Sequence, residues 1–281
     1  MVIIQKRVGQ LGNQLFAIAH FAAAAIEHEY KVLYPCFEHS LEHFPELNSN
    51  PLFKVRQSSD KTNRALHRSL KLLRTIASRS PWHECLLAEA APFVDIGSES
   101  FAAKARKKLI ACEGFGFRDV KSVMKHHRLL AELFSPSQAI QNRTVQYMEG
   151  QHLTRDMTLV GFHIRRSDYR TYRNGEYFYE DDTWLTWINQ ARAAFHSSSK
   201  PFVGVIFSDE DVSGLVGSSG DLIAGPGSVY EDLLMLSKCH YLVGPPSTFS
   251  GWASFTGRVP LLSVCKAEMK IQPERFEIVQ W

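Results

Sequence analysis

Short apolar runs alternate with amphipathic stretches along this chain, and its first half opens with a clear example. We predict a strand at residues 2–7, a glycine-containing turn at 9–13, a helix at 14–29 and a second short strand at 31–34. Strand, turn, helix and strand in this order are typical of a nucleotide-binding half-domain. Residues 38–80 are polar and irregular, and we predict that 95–151 is mostly helical and loop-rich.

The second half repeats the alternation more regularly. Its pattern predicts strands at 158–164, 202–207, 241–243 and 259–264, with helices at 182–195 and 230–238. Apolar strands that alternate with helices predict a doubly wound parallel sheet. We therefore predict an α/β fold with two domains, residues 1–151 and 152–281.

Polar residues follow three of the predicted strands in the second half. They are Arg165, Arg166 and Asp168 after the first, Asp209 and Asp211 after the second, and Ser247, Thr248 and Ser250 after the third. In open α/β sheets, ligands bind beyond the carboxyl ends of the strands, at the point where the strand order reverses. We therefore expect these three groups to converge on one crevice.

Arg165 and Arg166 are the residues best suited to bind an anionic ligand. A guanidinium group matches phosphate oxygens with two parallel hydrogen bonds and stays charged at any relevant pH. An arginine at the end of a strand can thus hold a diphosphate and stabilise it as it leaves. The alternative is a surface arginine pair with Asp168 as a structural partner.

The other two groups also carry a functional and a structural interpretation. Hydroxyl groups at a helix N-terminus, such as those of Ser247 and Thr248, form an anion site, although simple N-capping explains them as well. The Asp209 carboxylate can accept the two donors on the N1–N2 edge of guanine, or it can cap a helix. The turn from Gly9 to Asn13 lacks both the Gly-Lys-Ser/Thr of a P-loop and the dinucleotide-binding spacing. ATPase and dehydrogenase functions are therefore disfavoured.

Composition and charge exclude several classes of protein. The chain has 281 residues, 44% of them hydrophobic and 22% charged, with a formal net charge of +3. These values are typical of a globular protein and give no indication of a nucleic-acid partner. The five cysteines are widely spaced, so we expect reduced thiols in a cytoplasmic protein. We expect no signal peptide and no membrane span.

A basic segment at residues 63–79 has its leucines at helical spacing. Such a helix can lie on an anionic bilayer, as a peripheral contact with the inner membrane, or it can pack on the core with a solvated face.

We predict no metal site. Cys36, His39 and His43 have a tempting spacing but no fourth ligand nearby. The segment 209–211, Asp-Glu-Asp, is the nearest approach to a metal–diphosphate motif, and the arginine pair makes a metal unnecessary there.

Four motifs in this chain are similar to those of a known family. They are GQLGNQLF at residues 9–16, HIRRSDY at 163–169, FSDE at 207–210, and EDLLMLSKC at 231–239 with STFSGWA at 247–253. In this order they resemble the motifs of the α-1,2-fucosyltransferases of glycosyltransferase family 11, within the wider GDP-fucose transferase superfamily. The chain departs from the family pattern at Gln10, Ser167, Pro246 and Gly251, where arginine, glycine, asparagine and tryptophan are usual.

The resemblance implies a GT-B-like architecture of two facing Rossmann-type domains. The N-terminal domain would be on the acceptor side, and the C-terminal domain would bind the donor. The donor-binding residues that we predict are Gly12, Asn13, Gln14, His163, Arg165, Arg166, Asp209, Ser247, Thr248 and Phe249. Arg165 and Asp168 are the predicted catalytic residues, and Glu180, Asp181 or a residue of the first domain are alternatives to Asp168 as general base.

The reaction that the resemblance implies is metal-independent, inverting transfer of fucose from GDP-fucose to a glycan acceptor. GDP-fucose is the donor substrate, and no cofactor is expected. The acceptor is expected to be a galactoside, modified at its 2-OH during assembly of an O-antigen or a similar surface glycan. Two alternatives stay open: another GDP-sugar transferase of the superfamily with a different linkage, and a noncatalytic protein that binds a nucleotide-sugar.

Overall fold

The computed structural model describes residues 1–57, 82–89, 91–196, 200–217 and 219–280. The basic segment predicted at 63–79 lies outside these residues. The chain divides into two compact units. The first is Met1–Ser137 with the end of the chain, and the second is Gln138–Val279.

The first unit contains a parallel sheet whose described part has five strands. In chain order its elements are β1 (Val2–Ile4), α1 (Leu11–His28), β2 (Val32–Phe37), β3 (Phe53–Gln57), β4 (His83–Leu87), β5 (Val94–Asp95), α2 (Glu99–Lys107), β6 (Leu109–Glu113), β7 (Phe117–Arg118), α3 (Val120–Lys125) and α4 (His127–Leu133). The strand order is β3-β2-β1-β6-β4, and β5 pairs separately with β7. Val2 of the central strand β1 lies opposite Val32 on one side and Ile110 on the other.

Three strands of this sheet lie where the sequence predicted none. The strands β3 and β4 were not expected, and β6 lies in a region predicted to be helical and loop-rich. The predictions for β3 and β6 were wrong, and β4 was not predicted, because the strands are short and charged residues flank or interrupt their apolar positions. The pairing that makes them strands comes from distant parts of the chain.

Helix α1 packs its apolar residues into the core of the first unit. The four consecutive alanines at its centre, residues 22–25, are completely buried, and so are Leu15 and Ile18. Small side chains let a helix approach a sheet closely, and alanine is also the best helix former. The helix ends at Glu29, which adopts the left-handed conformation with φ 54°.

The second unit contains the other parallel sheet, again with five strands in its described part. Its elements are α5 (Gln138–Gly150), β8 (Thr158–Ile164), α6 (Asp181–Phe195), β9 (Phe202–Ser208), α7 (Ser213–Val216), β10 (Leu222–Ala224), α8 (Val229–Leu236), β11 (Tyr241–Gly244), α9 (Thr248–Gly257) and β12 (Leu261–Ser263). The order is β10-β9-β8-β11-β12. Two parallel sheets with helical connections confirm the predicted α/β class. The second unit begins before residue 152, because α5 packs on α8 within it.

An aromatic cluster holds α6 against the second sheet. Trp184 and Trp187 meet edge to face at 5.1 Å between ring centroids, and Tyr179 lies 4.8 Å from Trp187. The Tyr179 hydroxyl donates to the carbonyl oxygen of Val264 at 3.2 Å. Aromatic pairs of this kind contribute about 1 kcal/mol beyond their buried area. Tyr179 is thus the fixed end of the loop that begins at Arg165.

The five cysteines, Cys36, Cys85, Cys112, Cys239 and Cys265, are free thiols. Within the described ranges, no helix combines the length and the apolar character that crossing a bilayer requires.

Candidate active site

The strand order of the second sheet reverses beside β8. From β8 the chain adds β9 and β10 on one side, and then β11 and β12 on the other. All seven residues of β8 are buried, which is expected of the central strand of a covered sheet. The carboxyl ends of β8, β9 and β11 therefore border the position where α/β sheets bind ligands.

Arg165 directly follows β8 and is held by two carboxylates. Its Nε and Nη2 donate to Asp168 Oδ1 at 2.8 Å and Oδ2 at 3.0 Å, and Asp209 Oδ2 lies 3.5 Å from Nε. Burial lowers the pKa of Arg165, but the hydrogen bond and charge of Asp168 outweigh it, so the pKa is raised. The guanidinium is therefore a permanent charge in a fixed orientation.

Asp209, at the end of β9, supports the arginine loop. Its Oδ1 accepts the Arg166 backbone N–H at 2.9 Å, and its Oδ2 accepts the Ser167 hydroxyl at 2.5 Å. Burial raises the pKa of Asp209, but these two hydrogen bonds and the charge of Arg165 bring the pKa below its ordinary value. The carboxylate is thus ionised and engaged by its own chain. A guanine base would have to share these oxygens with the loop.

Arg166 is anchored from the opposite side of the loop. One of its Nη2 hydrogens bonds Asp181, in the first turn of α6. Its Nε is buried and has no hydrogen-bond acceptor among the described residues. Asp181, an alternative general base, is therefore engaged with an arginine, whereas Glu180 is exposed just before the helix.

His163 connects β8 to the helix after β11. It is buried, and its ring centroid lies 5.2 Å from that of Phe249 in α9. Burial is the main reason that the pKa of His163 is lowered to about 4, and the charge of Arg165 lowers it further. The charge of Asp209 acts in the other direction. A Cβ at Gly244 would stand 3.1 Å from the His163 backbone oxygen, so a larger residue there would push the two strands apart. His163 is thus neutral and positions the arginine that follows.

Ser247 and Thr248 form a hydroxyl-bearing turn between β11 and α9. The Ser247 hydroxyl accepts the Phe249 N–H at 3.2 Å and caps α9, so the structural interpretation holds for this residue. The Tyr169 hydroxyl donates to the Pro246 carbonyl oxygen at 2.7 Å and ties the arginine loop to this turn. The structure therefore brings the arginine pair, the acidic group and the hydroxyl turn to one edge of the second unit.

Gly12, Asn13 and Gln14 lie in the first unit, after its central strand β1. Helix α1 begins at Leu11, so they belong to its first turns rather than to a loop. Gln14 is completely buried; its Nε2 donates to the Gly9 carbonyl oxygen at 3.3 Å, and its Oε1 accepts the Tyr34 hydroxyl at 3.4 Å. Gly9 has φ +59°, and a Cβ there would lie 2.2 Å from the Asn13 side chain. Gln14 therefore shapes the turn from within.

Sequence reasoning missed the tyrosines that follow the arginine pair. In the loop between β8 and α6, Tyr169 contacts both Tyr172 and Tyr177. The signal was present as an unusual density of aromatic residues, five between 169 and 179.

A cavity of about 450 Å³ also lies in the first unit. Its lining includes Phe93, Arg118 and Asp119, and none of the predicted site residues. In the described parts of the chain, no group of three or more His, Cys, Asp or Glu side chains is arranged to hold a metal ion.

Comparison with known proteins supports a particular family. Residues 127–264 match the family model described as glycosyl transferase family 11. Among curated proteins, no sequence matches the chain.

Several solved structures share the fold. The fucosyltransferase NodZ from Bradyrhizobium is similar with a TM-score of 0.58 and 15% identity, covering 93% of this chain and 94% of NodZ. An Arabidopsis thaliana FUT1 variant in complex with GDP gives 0.59 and 13%, covering 98% of this chain and 72% of FUT1. POFUT1 in complex with GDP gives 0.53 and 12%, covering 91% of this chain and 93% of POFUT1. The chain thus has the fold of these structures, and its residues 127–264, which carry the arginine pair and the hydroxyl turn, match the model of glycosyltransferase family 11.

Proposed function

We propose that this protein is an inverting fucosyltransferase that uses GDP-β-L-fucose and modifies a hydroxyl of a glycan acceptor, the 2-OH of a galactose. The observation that carries the proposal is the pair Arg165 and Arg166, held by carboxylates at the point where the sheet order reverses. The family match supports the same chemistry. NodZ is described as an α-1,6-fucosyltransferase soaked with GDP-fucose, which makes this donor the first to test.

The arginine pair would bind the diphosphate of the donor. Asp168 engages two of the five N–H donors of Arg165, so the remaining donors can turn to phosphate oxygens. The Arg166 Nε has no acceptor among the described residues, and because it is buried the Arg166 side chain would have to turn to present it to a phosphate. Ser247 and Thr248 add hydroxyl groups at the N-terminus of α9, a second source of positive potential.

Transfer would be a single in-line displacement at the anomeric carbon. Negative charge develops on the departing GDP, and fixed cations stabilise it without reorganisation. Asp168 is tied to Arg165 through both oxygens, so its first role is to orient that arginine. The acceptor hydroxyl must lose its proton to a base. Asp168, with 57% of its side chain exposed, and the exposed Glu180 are the candidates in this unit.

The first unit would contribute through the turn that precedes α1. This turn follows β1, the strand beside which the sheet order reverses between β2 and β6, and a side chain at Gly9 would collide with that of Asn13. We propose that Gly12, Asn13 and Gln14 contribute to donor binding, with Gln14 acting through the turn. The reaction would require neither a metal nor a cofactor. We place it in the cytoplasm, in the assembly of a surface glycan such as an O-antigen.

A second candidate differs in the linkage that is formed. The similar structures include an α-1,6-fucosyltransferase and POFUT1, and this chain has Pro246 and Gly251 in the turn at α9. A different acceptor hydroxyl is therefore a specific alternative. The position of the new glycosidic bond, determined by NMR of the product, decides between the two.

Calorimetric titration of the protein with GDP, GDP-fucose, GDP-mannose and UDP, with EDTA present, tests the donor assignment. We expect micromolar binding of the guanine nucleotides and none of UDP. A transfer assay with GDP-fucose and lactose follows. Absence of binding by all four nucleotides, or UDP binding as tight as GDP binding, would contradict the proposal. Binding without transfer to any acceptor would favour a noncatalytic role.

A further inference from the structure

Three tyrosine rings lie together immediately after the arginine pair, and the buried ring of Tyr169 contacts the other two. Tyr169 and Tyr172 are stacked with centroids 5.4 Å apart and an interplanar angle of 26°, and Tyr177 lies 6.4 Å from Tyr169. The Arg173 guanidinium carbon lies 5.7 Å from the Tyr172 centroid and 5.9 Å from that of Tyr177. We call Tyr169, Tyr172 and Tyr177 the tyrosine platform.

The platform is anchored to the arginine site. The Arg165 guanidinium carbon lies 5.6 Å from the Tyr169 ring centroid, and Tyr169 is buried and hydrogen-bonded to the Pro246 carbonyl oxygen. The Tyr172 centroid lies 5.4 Å from that of Tyr169. The distance from the Arg165 guanidinium carbon to the Tyr172 centroid is therefore at most the sum of these two distances. This span is within the reach of one or two sugar rings. A group bound on Tyr172 would therefore lie within one or two sugar rings of a group that Arg165 holds.

The outer part of the platform is exposed and its backbone is strained. Tyr172 is 47% exposed, although its ring is stacked on that of Tyr169. Arg173 and Asn174 both have positive φ angles, 50° and 60°, which cost non-glycine residues about 1 kcal/mol or more each. Strain of this kind persists where surrounding contacts enforce it, and it is concentrated at ligand sites. The strained turn keeps the Arg173 side chain beside Tyr172 and Tyr177.

We propose that the tyrosine platform is the acceptor subsite, and that it binds a pyranose ring of the glycan on Tyr172. This inference rests on the proposed transferase function. A pyranose presents C–H groups on its face and hydroxyl groups around its edge. An aromatic ring supplies a complementary apolar face, and the tyrosine hydroxyl and the Arg173 guanidinium supply polar partners at the rim.

The polar groups of the loop favour a sugar over the guanine base of the donor. Guanine presents donors at N1 and N2 and is read by carboxylates or carbonyls. The carboxylates of residues 168–178 are Asp168, bonded to Arg165, and Glu176, which lies 3.9 Å from Arg173. Each is already paired with an arginine. A neutral ring rich in hydroxyl groups has no such requirement.

The test compares Tyr172→Ala with Tyr172→Phe, which keeps the ring. Phe93→Ala is the matched control, because Phe93 is an exposed ring at 57%, and it too contacts an arginine, Arg118, at 4.7 Å from the ring centroid. Saturation-transfer NMR with GDP present monitors methyl β-D-galactopyranoside and the methyl glycosides of glucose, mannose and N-acetylglucosamine. Calorimetry with GDP and the lactose transfer assay complete the set.

We expect the Tyr172→Ala variant to lose saturation transfer to the sugar and to raise the KM for the acceptor by about tenfold. GDP affinity should stay within about twofold, since no phosphate contact is removed. The Tyr172→Phe variant should keep most of the sugar binding. The Phe93→Ala variant should bind the sugar as the parent does.

Three results would overturn the platform assignment. They are a loss of GDP affinity in the Tyr172→Ala variant, which would make the ring a base-stacking group; unchanged sugar binding in that variant; and an absence of sugar signal in the parent. In the last two cases, normal GDP binding would contradict the platform assignment but not the proposed donor site. Failure of the parent to bind GDP would instead refute the proposed function itself.

Discussion

Replacement of Arg165 by alanine is the sharpest perturbation of the proposed site. The substitution removes a guanidinium whose side chain is only 21% exposed and whose orientation two carboxylates fix. A hydrogen bond to a charged group contributes about 1.5–3 kcal/mol, so loss of two phosphate contacts in the transition state costs about 3–6 kcal/mol. Because about 1.4 kcal/mol is a factor of ten in rate, transfer should fall at least about a hundredfold.

The chain offers a matched control in Arg192. This arginine forms the same two-pronged pair, from Nε to Asp221 Oδ2 at 2.6 Å and from Nη2 to Oδ1 at 2.8 Å. Asp221 directly precedes β10, so this pair lies at the amino edge of the same sheet. Each alanine variant loses a two-pronged, partly exposed pair with an aspartate, at a stability cost of about 1 kcal/mol or less, and Arg165→Ala also loses the 3.5 Å contact with Asp209. Only the Arg165→Ala variant should lose transfer.

The assay measures fucose transfer to lactose, GDP affinity by calorimetry and the thermal unfolding midpoint for both variants. We expect Arg165→Ala to keep its fold, to lose turnover and to bind GDP more weakly. Arg165→Lys, which keeps the charge but not the planar fork, should lie between that variant and the parent. Near-normal turnover in a folded Arg165→Ala protein, or an equal loss in Arg192→Ala, would refute the diphosphate assignment.

Two further predictions concern pH and metal ions. Asp232 is buried, and burial with the nearby Glu231 charge raises its pKa to about 6, against the lowering effect of the Gly227 N–H. The folded protein then keeps a proton that the unfolded chain loses above about pH 4, so this carboxyl destabilises the fold increasingly as pH rises to about 6. Asp232→Asn should therefore gain stability relative to the parent between pH 4 and 7, by up to about 3 kcal/mol in chemical denaturation, and a pH-independent difference would contradict this assignment. Dialysis against EDTA should leave transfer unchanged, whereas a strict requirement for a divalent cation would move the chemistry to residues 209–211.

The second sheet could be predicted from the sequence because its signals are local. The predicted strand 158–164 coincides with β8, and the predicted helix 182–195 differs from α6 by one residue at its start. A strand that is buried on both faces is a continuous apolar run bounded by polar residues. The predicted convergence of three strand ends followed from this pattern and the handedness rules of parallel sheets.

The first sheet could not be predicted in the same way. β6 is the five-residue stretch Leu109–Glu113, next to Lys107 and Lys108, and its length and composition fit a helix end equally well. Its position beside β1 depends on the pairing of Ile110 with Val2, across more than a hundred residues. A short window of sequence contains no record of such a contact.

At the site, residue types could be predicted but their partners could not. The arginine pair and the hydroxyl turn follow from the motifs, whereas the bond from Arg166 to Asp181 spans 15 residues and that from Tyr169 to Pro246 spans 77. The first of these contacts shows that Asp181, which the sequence offered as an alternative base, binds Arg166. The second placed Tyr169 in the site, which no motif argument had done.

The carboxylates around the arginine pair explain why the Arg165 substitution should affect turnover more than affinity. Asp168 and Asp209 contact Arg165, and Asp181 contacts Arg166, so the group carries one more negative than positive charge. This arrangement holds the guanidinium groups in place, and it also weakens their attraction for a diphosphate bound in the ground state. Preorganised donors contribute most where charge develops, which is on the departing GDP. Interactions that strengthen between the ground state and the transition state raise the rate rather than the affinity, and under the proposed function the same carboxylates would limit the retention of the GDP product.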